Sequence, residues 1–122
     1  MRTLITTTLG ALLLAANPAV AAPPIVTPAI QNSATGTLSC WVVNASASKT
    51  IAVSAEIRTF TGTVVESGEV EIPPLEANGI VSSSSQARFC VVRVLRGGRK
   101  NAVVSLVGLE SGSPVAVVQA NR

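Results

Sequence analysis

The run Ile51-Ala52-Val53-Ser54-Ala55-Glu56-Ile57-Arg58 puts its largest apolar side chains on every second residue. That period of two belongs to a strand with one face buried and the other meeting water. Wound into a helix, the same residues would scatter around the cylinder and leave no apolar stripe to bury. The pattern returns in Leu38, Cys40 and Val42 alternating with Ser39, Trp41 and Val43. It returns again in Cys90, Val92 and Val94 alternating with Val91, Arg93 and Leu95. From Pro23 onward no segment keeps an amphipathic helical pattern for three turns.

Turn chemistry separates further strand-like runs. Val64 and Val65 follow Thr61-Gly62, Val70 and Ile72 precede Pro73-Pro74, and Ile80 and Val81 come next. Gly97-Gly98 reads as a hairpin turn into Ala102–Leu109, and a last strand from Val115 to Ala120 follows Gly112-Ser113-Pro114. Pro23, Pro24 and Pro28 mark an extended lead-in with a short edge strand at Ile25 and Val26. About seven short strands in roughly a hundred residues predict an all-β fold, an antiparallel immunoglobulin-like two-sheet sandwich. A small β-barrel is the alternative, because strand spacing does not decide whether a sheet closes.

The first 21 residues read as a secretory signal. Arg2 supplies the positive start, the mostly apolar stretch Leu4 to Ala16 follows, and Ala19-Val20-Ala21 has the small-x-small pattern of a cleavage site. A cut after Ala21 leaves the Pro-rich lead-in over 22–36 and a β-sandwich domain over 37–122. The apolar stretch is shorter than the ~20 residues that span a bilayer, so no transmembrane span is expected after cleavage. The expected location is therefore periplasmic or secreted. In that oxidising setting the even pair Cys40 and Cys90 is a candidate structural disulfide tying two sheets together. A redox-active pair usually has C-x-x-C spacing, which these residues lack.

His, Asp and Tyr are absent from the sequence. Without His there is no Ser-His or Cys-His couple and no imidazole metal ligand, and without Asp no EF-hand loop. The net charge of +3 is small and only 2% of residues are aromatic, so a base-stacking nucleic-acid platform is not expected. No catalytic residue, metal site or cofactor is expected. A hydrolase reading attaches to the carboxylates Glu66, Glu69 and Glu71, or to Ser84 with Lys49 or Lys100 as its base. Such a site would want aromatic sugar platforms or a positioned base, and neither is visible. The serine run Ser82 to Ser85 reads as a polar connection.

Charges segregate along the chain. Glu56, Glu66, Glu69, Glu71 and Glu76 share a segment with Arg58 alone, whereas Arg88, Arg93, Arg96, Arg99 and Lys100 share one with no acid. The preferred reading is cross-strand pairing of the two groups. The sharper one makes Arg93, Arg96, Arg99 and Lys100 a contact for an envelope or extracellular protein partner, focused at the Gly97-Gly98 hairpin. Alternation sends Trp41 to the face opposite Cys40, where it is expected to lie under the Pro-rich lead-in, the alternative being an exposed partner anchor. Asn44-Ala45-Ser46 matches the N-glycosylation sequon.

The stretch Leu38-Ser39-Cys40-Trp41-Val42-Val43-Asn44-Ala45-Ser46 resembles the opening of a group of small secreted bacterial proteins of unknown function, with the pattern L-x-C-x-V-x-N-x-S. Phe89-Cys90 fits their aromatic-Cys strand and Lys100-Asn101-Ala102-Val103 their K-x-A-V strand, although Val92 stands where an aromatic is expected. The resemblance covers about Leu38 to Ala120. It implies an exported single-domain sandwich with the two Cys bridged, and it carries no active site. The functional expectation is a non-catalytic protein acting through protein contacts or structure at the cell envelope. The alternative is a small-ligand carrier with an apolar inter-sheet pocket.

Overall fold

The structure, a computed structural model, describes residues 23–31, 36–83 and 86–120. The expected signal segment, Ser84 and Ser85 lie outside these residues. The period-two runs all form strands. In chain order these are β1 (Ile25–Val26), β2 (Thr37–Asn44), β3 (Ile51–Thr59), β4 (Val64–Ile72), β5 (Ala77–Ser83), β6 (Arg88–Arg96), β7 (Ala102–Glu110) and β8 (Ser113–Gln119). Eight strands stand where about seven were expected. They build two four-stranded sheets, β1-β6-β3-β4 and β5-β2-β7-β8, in which every pairing is antiparallel. This is the open two-sheet sandwich and not the barrel.

The inward residues of the first sheet are those of the leading alternation. Ile51, Val53, Ala55 and Ile57 of β3 lie between Val92 and Cys90 of β6 and Ile72 of β4, all buried. The second sheet answers with Leu38, Cys40 and Val42 of β2 and Ala102, Val104 and Leu106 of β7. Each fully buried Val, Leu or Ile contributes about 1.5–3 kcal/mol. Cys40 and Cys90 meet across the layers as a disulfide with a Cα–Cα distance of 5.9 Å, as expected.

The lead-in joins this core. Ile25 and Ile30 are buried, and Thr27 exchanges two bonds with Cys90. Its N–H donates to the Cys90 carbonyl at 3.0 Å, and its hydroxyl accepts from the Cys90 N–H at 3.0 Å. This short edge strand pairs with part of β6 and so covers backbone groups that would otherwise be open.

Three local expectations change. Val64-Val65 and Val70-Ile72 belong to one nine-residue strand. Gly97-Gly98 does not make a hairpin, because β6 and β7 lie in different sheets. The chain crosses there through a short 3₁₀ turn, Arg99–Asn101, where the Asn101 side chain donates to the Gly97 carbonyl at 2.9 Å. The β7–β8 hairpin turns at Ser111-Gly112, both at positive φ (52° and 81°), so Ser113 and Pro114 already belong to β8. Two consecutive positive-φ residues match the twist of the flanking strands, which explains a tight two-residue loop.

Candidate functional site

The two outer faces differ in character. On the first sheet the outward positions of β3 are Ala52, Ser54, Glu56 and Arg58, flanked by Glu69 and Glu71 of β4 and by Arg93 and Arg96 of β6. Acidic β4 and basic β6 thus sit on either side of β3, and the charges meet over it. Ala52 is the register partner of both Glu71 and Arg96, and these two side chains pair above its methyl group. Glu56 accepts from Arg58 Nε at 2.9 Å and lies 3.7 Å from Arg93 Nη1. The expected pairing across neighbouring strands is met by Arg93 and Glu56. Arg58 pairs with Glu56 within β3, and Arg96 reaches Glu71 across the whole width of β3.

That geometry revises the notion of a basic hairpin. Arg93 and Arg96 lie on the first sheet's outer face with acidic partners. Arg99 and Lys100 lie in the 3₁₀ turn, where Arg99 Nε donates to the Pro23 carbonyl at 3.0 Å. No hairpin tip gathers the four cations. Glu66 pairs with Ile57, so it faces the opposite side of β4 from Glu69 and Glu71. These carboxylates do not converge as a hydrolytic pair. Ser82 and Ser83 lie within β5, not in a loop, and Ser82 is buried. Among the described residues no group of three or more Cys or Glu is placed to hold a metal ion, and no helix is long and apolar enough to cross a membrane.

A shallow groove of about 220 Å³ opens on the charged sheet and is lined in part by Ala52, Leu95, Glu71 and Arg96. It is not the inter-sheet pocket a carrier needs. Between the sheets, Leu38, Val42, Val53, Ile57, Val92, Val104 and Leu106 meet with essentially no exposure.

The outer face of the second sheet carries no charge. Register pairing lines up four rows across β5, β2, β7 and β8. One row is Val81, Ser39, Val107 and Val117, and the next is Gly79, Trp41, Ser105 and Gln119. Beyond them lie Ala77, Val43 and Val103 on one side and Ser83, Thr37, Leu109 and Pro114 on the other. Trp41 is 40% exposed, Val81 52% and Val117 58%. The described part of the lead-in, residues 23–31, does not cover Trp41, because it pairs with β6 in the opposite sheet. The candidate contact residues are therefore divided, Trp41 on one side of the sandwich and Arg93 and Arg96 on the other.

The valines of this face were not singled out from the sequence. The available signal was apolar residues in both phases of one strand, as in Val42-Val43, Ala102-Val103-Val104 and Val117-Val118, which marks a strand apolar on both faces. The sequon is also reassigned. Asn44 is fully buried, and its amide donates to the carbonyls of Lys49 and Ile72, so its nitrogen is committed to the fold.

No protein-family model matches the chain, and no curated protein sequence does. Among solved structures, the chain is similar to Thermotoga maritima 1070, with a TM-score of 0.57 and 11% sequence identity over 83% of this chain and 94% of that one. At that identity the likeness is one of fold.

Proposed function

We propose that this chain is an exported, non-catalytic β-sandwich protein that works by contact, and that the outer face of the β5-β2-β7-β8 sheet is the contact surface. Residues 1–21 direct export and are removed after Ala21, the lead-in over 22–36 follows, and the domain over 37–122 acts in the periplasm or outside the cell. The observation that carries this reading is the asymmetry of the two faces. One is covered by paired charges, whereas the other exposes Trp41, Val43, Val81 and Val117 with no charged side chain among its rows. Contiguous apolar surface of this kind marks interaction sites in stable proteins, and Trp is enriched where partners bind.

Two measurements test it. Intact mass of the protein recovered from a bacterial host should match Ala22–Arg122 with both sulfurs bonded; an uncut cytoplasmic chain with two alkylatable thiols overturns the export reading. A photoreactive side chain at Val81 should cross-link to a macromolecule in the native compartment, whereas one at Ser54 on the charged sheet should not. Equal labelling from both positions, or none from Val81, overturns the choice of face.

A further inference from the structure

We propose that the occupant of the uncharged face is a second copy of this chain, packed face to face about a two-fold axis that runs across the strands between the Ser39 row and the Trp41 row. The proposal rests on the reading of this face as a contact surface and names its partner.

The first ground is the ordering of large and small residues. A two-fold axis in that place sets each strand over its own copy and exchanges the two central rows. Trp41 then stands over Ser39 of the second copy, Val107 over Ser105, and Val81 over Gly79, each pair being two residues apart on one strand. On two of the four strands a bulky side chain thus meets an accessible small one, Val107 over Ser105 and Val81 over Gly79, and the same contacts recur on the other side of the axis. Trp41 lies across Ser39, which is 2% exposed and already covered by its own sheet. Alternating large and small positions is how apolar layers interdigitate without voids. An isologous interface requires this self-complementarity of one patch, which a foreign partner does not.

Charge is the second ground. Like charges meet across an isologous contact wherever a charged residue lies near the axis, and a chain of net charge +3 has cations to spare. Glu56, Arg58, Glu71, Arg93 and Arg96 lie on the opposite face, and the four rows here hold none.

The third ground is area. Four strands ~4.8 Å apart, each about seven residues long at ~3.4 Å per residue, present roughly 500 Å² in projection. Side-chain relief raises the accessible area toward the ~800 Å² per partner that a stable dimer buries. Sheets packed face to face keep their strands within about 30° of each other, so the row relationship holds best near the axis, where Trp41 and Val107 sit.

Sedimentation velocity of the disulfide-intact protein across micromolar to submillimolar concentrations tests the proposal. The wild type should sediment with twice the protomer mass. Val107→Lys sets a cation against its mate near the axis and should raise the dissociation constant by about a hundredfold or more. Val81→Lys, at an already half-exposed position, should weaken association similarly and serves if Val107→Lys fails to fold. Mixing singly substituted Ser105→Cys and Val107→Cys proteins should give a 105–107 cross-link faster than either variant alone. A wild type that stays monomeric throughout overturns the dimer. If its Val81 photoprobe still labels another macromolecule, the contact-surface reading survives. A dimer that tolerates both lysines uses another surface, such as the β8 edge, and overturns the proposal together with its choice of face.

Discussion

The Asn44 side-chain amide donates to the Ile72 carbonyl at 2.9 Å, joining the end of β2 in one sheet to the end of β4 in the other. The same nitrogen donates to the Lys49 carbonyl at 2.7 Å, and Oδ1 accepts from the Ser46 N–H at 2.9 Å. The backbone is committed as well: Asn44 N–H donates to the Glu76 carbonyl and Asn44 O accepts from the Leu75 N–H. One buried residue therefore holds the β2–β3 turn, the β4–β5 connection and the end of β4 in register.

Asn44→Ala should cost about 2–3 kcal/mol, because the buried Ile72 carbonyl loses its donor where water cannot readily replace it. Asn44→Asp should cost more, since it turns a donor toward two carbonyls into an acceptor. Urea titration of the three proteins checks the order. Expression in a glycosylating host should leave the mass of wild type unchanged, because the sequon nitrogen is buried and bonded.

Replacing Cys40 and Cys90 together with Ala should lower stability by about 4 kcal/mol on the loop-closure estimate for a sequence separation of 50. Both residues are fully buried, so the native protein should resist thiol-disulfide exchange until it opens. A denaturant midpoint that falls on substitution, with a steeper slope because the unbridged unfolded chain exposes more surface, is the expected result. A double variant as stable as wild type would mean that the bridge only records two sulfurs already held together by packing.

Strand positions were legible because burial on one face leaves a period-two mark, clearest in β3, where Ile51, Val53, Ala55 and Ile57 all point inward. The inward Cys40 and outward Trp41 followed from the same rule. Sheet membership was not legible. Gly97-Gly98 serves a hairpin or a crossing equally well, and only the packing of β7 beside β2 decides between them. For the same reason the cover over Trp41 was misplaced: residues 25–30 of the lead-in pair with β6 through backbone bonds that leave no local mark in the sequence. Strand β4 read as two pieces because Gly68 interrupts its inward alternation with a residue that has no side chain to bury. The charge-free face was hardest to see, since its rows are assembled from four strands far apart in the chain.

Arg96 and Glu71 pair over Ala52 with about two-thirds of each side chain exposed. Water and salt screen such a pair, so Arg96→Gln should change stability by well under ~1 kcal/mol, and less at high ionic strength. A double-mutant cycle with Glu71→Gln isolates the coupling. A large, salt-insensitive coupling would show that the pair does more than shield Ala52, and would make the groove beside it a site in its own right.

Gly79 is the register partner of Trp41 in the β5–β2 ladder. A Cβ placed there would sit 2.1 Å from the Cys40 carbonyl oxygen and 3.1 Å from the Trp41 Cα, both backbone atoms that no rotamer change can move. Gly79→Ala must therefore push β5 away from β2, straining the ladder from Thr37–Ser83 to Val43–Ala77. Overpacking of this kind costs about 1–3 kcal/mol. The same shift would lift the Gly79 row out of line with Trp41, so Gly79→Ala should weaken self-association as well as lower the unfolding midpoint. Val81→Lys should affect association alone. Loss of both properties in the first variant and of one in the second is the expected pattern, checked by pairing denaturation with sedimentation on each protein.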